Sequence, residues 1–407
     1  MPKLQTLLIV SHVVHYQWET QLYAYGPYAR EVDIWADLFP CVIIAAPCRH
    51  APPPGDALAF TRTNIVIRTQ RERGGETLCA KLIQIGCLPL LVWDLAWAMY
   101  RADAIHVRCP GNLGLLGVLL APLFSRYLVA KYAGQWNGYK GEPWTVRLQR
   151  RVLRSAWWRG PVTVYGHWQT QPRQIVSFFT SMLTTAQVAH ATVIAQHKHI
   201  ETPLRLLFSG RLVPEKRVES LLEAVKICIV NGLQIELVIV GTGSESLRLH
   251  TQAVALAIDR SVTFVGALPF DKALRWYEWA HCLVLPSIHS EGWPKVVAEG
   301  MAYGLLCIAV AHGQLPTMLT ERGILLQTGS AQELATAIQR IAAQPEAYRS
   351  MRQTAYQWAA QYSLEGLRSA LRTLLETHWG VTLDSLVERE KAVCRDPHLI
   401  EQDVTHL

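Results

Sequence analysis

No stretch of this 407-residue chain is apolar for long enough to cross a bilayer: the longest run, residues 113–124, has 12 residues, against the ~20 that a spanning helix needs. Charged residues are also scarce. They make up 17% of the chain while half of it is hydrophobic, which excludes a disordered, solvating polypeptide. No C-x2-C pair and no His cluster occurs, so neither a zinc site nor a disulfide framework is suggested. The nine cysteines sit singly, most of them in apolar contexts such as HCLVLP and LLCIAV, and read as buried thiols of a reduced compartment. There is no internal repeat and no low-complexity segment. The opening segment MPKLQTLLIVSHVVHYQ lacks a small-residue cleavage site and reads as a first strand, not a signal peptide.

The length exceeds what one hydrophobic core supports, so two domains are expected. The net charge of +7 is unevenly spread. Residues 1–200 hold 20 Lys and Arg against 10 Asp and Glu, and residues 201–407 hold 19 against 22, giving +10 and −3. This balance is too diluted to indicate a nucleic-acid binder. Bulk charge would draw an anionic partner to the first half.

Short apolar runs alternate with segments of helical period, the pattern of parallel strands joined by crossover helices. Strands are expected at 7–10, 42–45, 64–67, 104–107, 127–131 and 162–165. The series restarts at 204–210, 235–241, 262–266, 282–287 and 306–310, with helices expected at 217–231, 270–280 and 294–303 between them. Two such series predict an α/β protein of two doubly wound, Rossmann-like domains with a linker near 191–203. An amphipathic helix is expected at 363–380, and 381–407 reads as an appendage.

The block SIHSEGWPKVVAEGMAYG, 287–304, follows a predicted strand, and Pro294 stands at an expected first helical position. A helix N-terminus there aims free N–H groups at whatever lies beyond the strand. Glu291 before the helix and Glu299 inside it can accept hydrogen bonds from the vicinal hydroxyls of a sugar; alone, both would be ordinary helix-dipole carboxylates. Arg211 and Lys216 follow the first strand of the second series, where two cations can meet a phosphate. Gly241 and Gly243 follow the next strand and allow close backbone approach to a ligand.

Together FSGRLVPEKRVESLLEAV, ELVIVGTG, VTFVGALP, LVLPSIHSEGWPKVVAEGMAYG and LCIAVAHGQLP resemble the donor-binding domain of glycosyltransferase family 4, with its GT-B fold, over about residues 204–330. The resemblance implies an acceptor-binding domain at 1–200, a donor-binding domain at 201–362 facing it across a cleft, and a crossover helix at 363–380. It implies a retaining transferase that uses a nucleotide-diphosphate sugar, such as a UDP- or GDP-sugar, and needs no cofactor or metal. Arg211 and Lys216 would bind the diphosphate, Glu291 the sugar hydroxyls, Glu299 the ribose, and the backbone of Gly292, Trp293, Pro294 and Lys295 the distal phosphate. The chain contains no D-x-D motif of metal-dependent transferases. The acceptor would be lipid-linked or saccharide, in polysaccharide or glycolipid biosynthesis, or a diacylglycerol-type lipid. A degenerate nucleotide-sugar-binding scaffold without turnover is the alternative.

The first half departs from the family. In DAIHVRCPGN the family commonly has a His where Arg108 stands; either His106 takes over that role or Arg108 replaces it with a cation. His15 and Tyr16, in a first loop lacking the family's glycine pair, and Trp136, Asn137, His167 and Trp168 are candidate acceptor contacts. VRLQRRVLRSAWWRG places Arg147, Arg150, Arg151 and Arg154 beside an apolar face ending in Trp157 and Trp158, a pattern that fits either a solvated domain helix or contact with an anionic membrane surface. The chain is accordingly expected in the cytoplasm or on the inner face of the membrane.

Overall fold

The computed structural model describes residues 4–70, 78–138, 141–166, 170–288 and 292–383. Two compact units emerge, one formed by Met1–Phe179 with Leu367–Leu407 and the other by Thr180–Gly366.

In the first unit the chain runs β1 (Thr6–Val10), β2 (His15–Trp18), β3 (Gln21–Tyr25), α1 (Gly26–Leu38), β4 (Cys41–Ala46), β5 (Cys48–Arg49), β6 (Ala57–Ala59), β7 (Ile65–Thr69), α2 (Leu78–Tyr100), β8 (Ala104–Cys109), α3 (Asn112–Leu120), β9 (Tyr127–Tyr132), α4 (Trp144–Arg154), β10 (Val162–Tyr165) and β11 (Ile175–Phe178). Seven strands form one parallel sheet in the order β11-β10-β9-β8-β1-β4-β7, and β5-β2-β3-β6 form a small second sheet. That second sheet and β11 are additions to the expected strands. HYQW and QLYAY mix polar with apolar residues, and ALA and IVSF are too short to stand out.

Strand order reverses between β1 and β8. Right-handed crossovers therefore place α1 on one face of the large sheet and α2, α3 and α4 on the other. Side chains follow: Ile105 and Val107 of β8 join Leu95, Met99 and Leu113 in one core, while His106 and Arg108 point to the α1 side.

In the second unit come α5 (Thr185–His197), β12 (Leu204–Ser209), α6 (Val218–Val230), β13 (Ile235–Val240), α7 (Ser246–Ala255), β14 (Val262–Gly266), α8 (Phe270–Trp279), β15 (Cys282–Leu285), α9 (Lys295–Ala302), β16 (Leu306–Val310), α10 (Leu315–Leu319), β17 (Gly323–Leu326), α11 (Ala331–Ala343) and α12 (Arg349–Ala359). The parallel sheet has the order β14-β13-β12-β15-β16-β17. Helix α5 belongs here and moves the boundary from the expected 200/201 back to Thr180. A reciprocal capping box of Thr184 and Gln187 starts it, Val188 and Ala191 enter the core under β12, and Gly304 (φ +72) leaves no Cβ to strike Ala195. Helix α13 (Leu364–Trp379) starts at the end of this unit and its body lies in the first, where Arg368 pairs with Asp37 at 3.1 Å and Trp379 donates to the carbonyl of Leu128 at 3.0 Å.

Cys41 at the start of β4 is disulfide-bonded, which corrects the expectation of separate thiols at that partly exposed position. Cys48, Cys87, Cys109, Cys228, Cys282 and Cys307 are not disulfide-bonded.

Gly241 and Gly243 are required by packing within the sheet. A Cβ on Gly241 (φ +138) would lie 1.9 Å from the carbonyl oxygen of Gly210, and one on Gly243 would lie 2.1 Å from that of Leu212. The space is taken by the neighbouring strand end, which the two glycines let close up. Gly241→Ala is expected to cost about 1–3 kcal/mol and to lower the thermal midpoint by several degrees. Gly86→Ala, in open space on α2, should not lower it; equal midpoints for both variants in calorimetry would refute the crowding argument.

Candidate functional site

The charged centre of the first unit was not visible in sequence. At the carboxyl end of β8, Arg108 stands in register with Lys131 of β9, and both reach one carboxylate oxygen of Glu31 from α1, at 3.3 and 2.8 Å. All three side chains are buried or nearly so. Burial alone would raise the Glu31 pKa, but Lys131 and Arg108 outweigh it and hold the carboxyl down to about 2. Burial pushes Lys131 below the usual lysine range despite the attraction of Glu31. The guanidinium of Arg108 also lies over the Tyr28 ring at 5.1 Å, and the Lys131 ammonium over Tyr165 at 5.6 Å.

His106 is one step inward on the same face of β8. Its ring stacks on Trp35 at 4.6 Å, is 1% exposed, and is neutral because burial lowers its pKa to about 3. The structure therefore gives His106 to the core, and of the two candidates only Arg108 is at the strand's end. His15 is likewise enclosed, stacked on Phe60 and edge-on to Tyr28, with its pKa lowered by burial to about 4. Trp136, 1% exposed, packs edge-on against Tyr132 beneath the Arg154 guanidinium. Neither His15 nor Trp136 presents a face to a sugar, since inward packing was cheaper for large rings than exposure. Tyr16 is half-buried and Asn137 exposed. His167 and Trp168 lie outside the described residues.

In the second unit the candidates gather at the carboxyl ends of β12, β13 and β15, where strand order again reverses. Arg211 is exposed just after β12, and Lys216 is half-buried in a 3-10 turn that leads to Arg217, the residue before α6. Arg217 has left-handed φ of 51° and donates to the Thr328 carbonyl at 2.7 Å, tying this turn to the loop before α11. Pro294 is the N-cap of α9, not its first residue, and offers no side-chain acceptor to the helix N–H groups. Trp293 stacks on Trp358 at 5.9 Å and meets Tyr362 edge-on at 5.3 Å, so its ring pins the loop to α12. His312 holds the other end of that loop, 2.5 Å from the Ser287 carbonyl. Glu291 lies outside the described residues.

Glu299 is buried on α9, and the Tyr277 hydroxyl of α8 donates to it at 2.9 Å. Burial, then the Glu299 charge, raise Tyr277 well above the usual tyrosine range, so it remains a phenol that fixes the carboxylate. Glu299 and Lys295 line a small cavity with Ser181, Ala298 and Tyr362, whose free room of about 10 Å³ suits a water molecule.

Residues 191–358 match the family model "Glycosyl transferases group 1". The match covers less than half of the chain and falls within the second unit. The chain is similar to the amylovoran biosynthesis glycosyltransferase AmsK of Erwinia amylovora, 30% identical over 149 residues that cover 35% of this chain and 37% of AmsK. D-inositol 3-phosphate glycosyltransferase of Saccharomonospora viridis is 29% identical over 177 residues, 41% of each chain. The chain thus spans less than half the length of these curated relatives. Its fold is that of Anabaena HepE crystallised with UDP and glucose, with a TM-score of 0.68 and 15% identity over 92% of this chain and all of that one. Sucrose-phosphate synthase of Thermosynechococcus elongatus scores 0.66 at 20% identity over 92% of this chain and 99% of that one. This is the GT-B fold.

The Glu31 centre yields a test. Its folded pKa lies below the unfolded value of 4.5, so its stabilisation is complete above that pH and is lost as pH falls towards 2. Glu31→Gln leaves two cations buried without a counter-charge and should cost about 3–5 kcal/mol at neutral pH, a gap that narrows below pH 4. A constant gap across denaturant titrations from neutral pH to pH 3 would rule the assignment out.

Proposed function

We propose that this chain is a retaining, metal-independent glycosyltransferase that moves a sugar from a nucleotide-diphosphate sugar to an acceptor hydroxyl in polysaccharide or glycolipid synthesis. The observation that carries the reading is the group 1 domain match over 191–358, within which Glu299 is held by Tyr277 at the carboxyl edge of the sheet.

Sugar transfer builds positive character at the anomeric carbon and negative charge on the departing diphosphate. Arg211 and Lys216 would take that charge at the end of β12, and the N–H groups of the Gly292–Lys295 turn the distal phosphate. With a guanidinium, an ammonium and a helix N-terminus in these roles, and no D-x-D motif in the chain, the reading needs no divalent ion. Glu299 would accept from the ribose hydroxyls and Glu291 from those of the sugar. The acceptor hydroxyl attacks from the face of the leaving phosphate, which receives its proton, so configuration is retained without a protein nucleophile. Arg108, where the resemblance to family 4 implies a His, supplies a fixed positive charge at the edge of the acceptor domain. A UDP-sugar is the first donor to test, since HepE was crystallised with UDP.

Purified protein screened against a panel of nucleotide sugars should give a thermal shift with one of them and turn it over in EDTA, and NMR should show the anomeric configuration preserved. Glu291→Gln and Arg211→Ala should each lower kcat/KM by about 100-fold or more; parent rates in both variants would refute the site. Binding without turnover on any acceptor would instead support the scaffold alternative.

A further inference from the structure

Helix α2 departs from the one-sided pattern of a surface helix. Its inner side, Leu91, Leu95, Ala98 and Met99, is buried against the sheet. Its outer side is apolar as well. Leu90, Trp93, Trp97 and Tyr100 follow at i, i+3, i+7 and i+10 and are 60, 72, 46 and 74% exposed. Three large rings in water on one stripe mark a binding surface. No described helix is long and apolar enough to cross a membrane.

The ridge continues sideways. Helices α2, α3 and α4 share one face of the sheet, and the indole N–H of Trp157 donates to the Val118 carbonyl at 3.2 Å, tying the end of α4 to α3. Past α3 the chain exposes Leu123, 64%, and α4 opens on Trp144, 67%. Below Trp144, at i+3, i+7 and i+10, stand Arg147, Arg151 and Arg154, all exposed. The sequence-based expectation of a membrane contact on α4 is corrected at two positions: Arg150 is buried in a bidentate pair with Glu142, and Trp158 is 1% exposed.

Charge selects the occupant. Of the 11 Lys and Arg in residues 78–160, Arg101, Arg126, Arg147, Arg151, Arg154 and Arg159 are exposed, against only three acids in the segment, Asp94, Asp103 and Glu142. Each acid has a partner: Asp94 in Arg68 and Gln70, the exposed Asp103 in the N–H groups of Gln5 and Thr6, and the buried Glu142 in Arg150. The outer layer is therefore aromatic and cationic together. Trp and Tyr settle at the headgroup boundary of a bilayer, and arginines pair with lipid phosphates.

We propose that the outer faces of α2, α3 and α4 dock this chain on an anionic bilayer, with the α2 ring stripe lying in the headgroup region and the α4 arginines on lipid phosphates. This stands independently of sugar transfer.

The full chain should float with vesicles of phosphatidylglycerol and phosphatidylcholine, not with phosphatidylcholine alone, and raised salt should weaken the association. Trp93→Gln with Trp97→Gln, and separately Arg147→Glu with Arg151→Glu, should each reduce partitioning by about tenfold or more, with circular dichroism unchanged. The proposal is overturned if the parent does not float, if it binds neutral vesicles equally, or if both variants float like the parent. It is also overturned if light scattering shows the Trp pair holding a dimer while vesicle binding is unaffected.

Discussion

A parallel strand covered by helices on both faces must hand alternate side chains to two different layers, and this constraint organises the first domain. On β8 the odd positions, Ile105 and Val107, enter the core beneath α2 and α3, and the even positions, His106 and Arg108, turn towards α1. Depth along the strand then separates the even pair. His106 meets Trp35 in a dry interior and loses its charge; Arg108 emerges at the sheet edge, where Glu31 and Tyr28 stabilise it. Glu31 in turn lets Lys131, the register partner of Arg108, remain beside another cation.

The carboxyl edge of the second domain's sheet rests on backbone proximity. Gly241 and Gly243 allow the ends of β12 and β13 to approach closely. The loop after β15 is held at both ends, by His312 on the Ser287 carbonyl and by Trp293 in the cluster with Trp358 and Tyr362. Such anchoring reduces the entropy that a ligand-binding loop would otherwise lose on binding. Glu299 is fixed before any ligand arrives, because a buried phenol already donates to it.

The same layering accounts for the unusual surface. The helices on one face of the first sheet satisfy the core with their inner sides, so packing within the domain does not explain an aromatic outer side on α2. That outer side calls for a second apolar or interfacial environment.

Much was legible in the residues themselves. Continuous apolar runs such as TLLIV, CVIIAA and IELVIV mark parallel strands without reference to anything distant, because a strand buried on both faces has no polar position to spare. The segment FSGRLVPEKR and the E-x7-E pair were likewise visible, since each lies within a single strand-loop-helix unit. What lay beyond reach were contacts between residues far apart in the chain. Glu31 with Lys131, Tyr277 with Glu299, and the burial of His106, His15, Trp136, Arg150 and Trp158 depend on which elements pack together. So does the boundary at Thr180: α5 has the composition of either domain, and only its packing beneath β12 assigns it. Sequence alone determined the apolar strands of the two parallel sheets and the segment that matches the group 1 family model; the tertiary structure decided which aromatic and charged side chains remain at the surface, because burial belongs to the assembled layers and not to any segment.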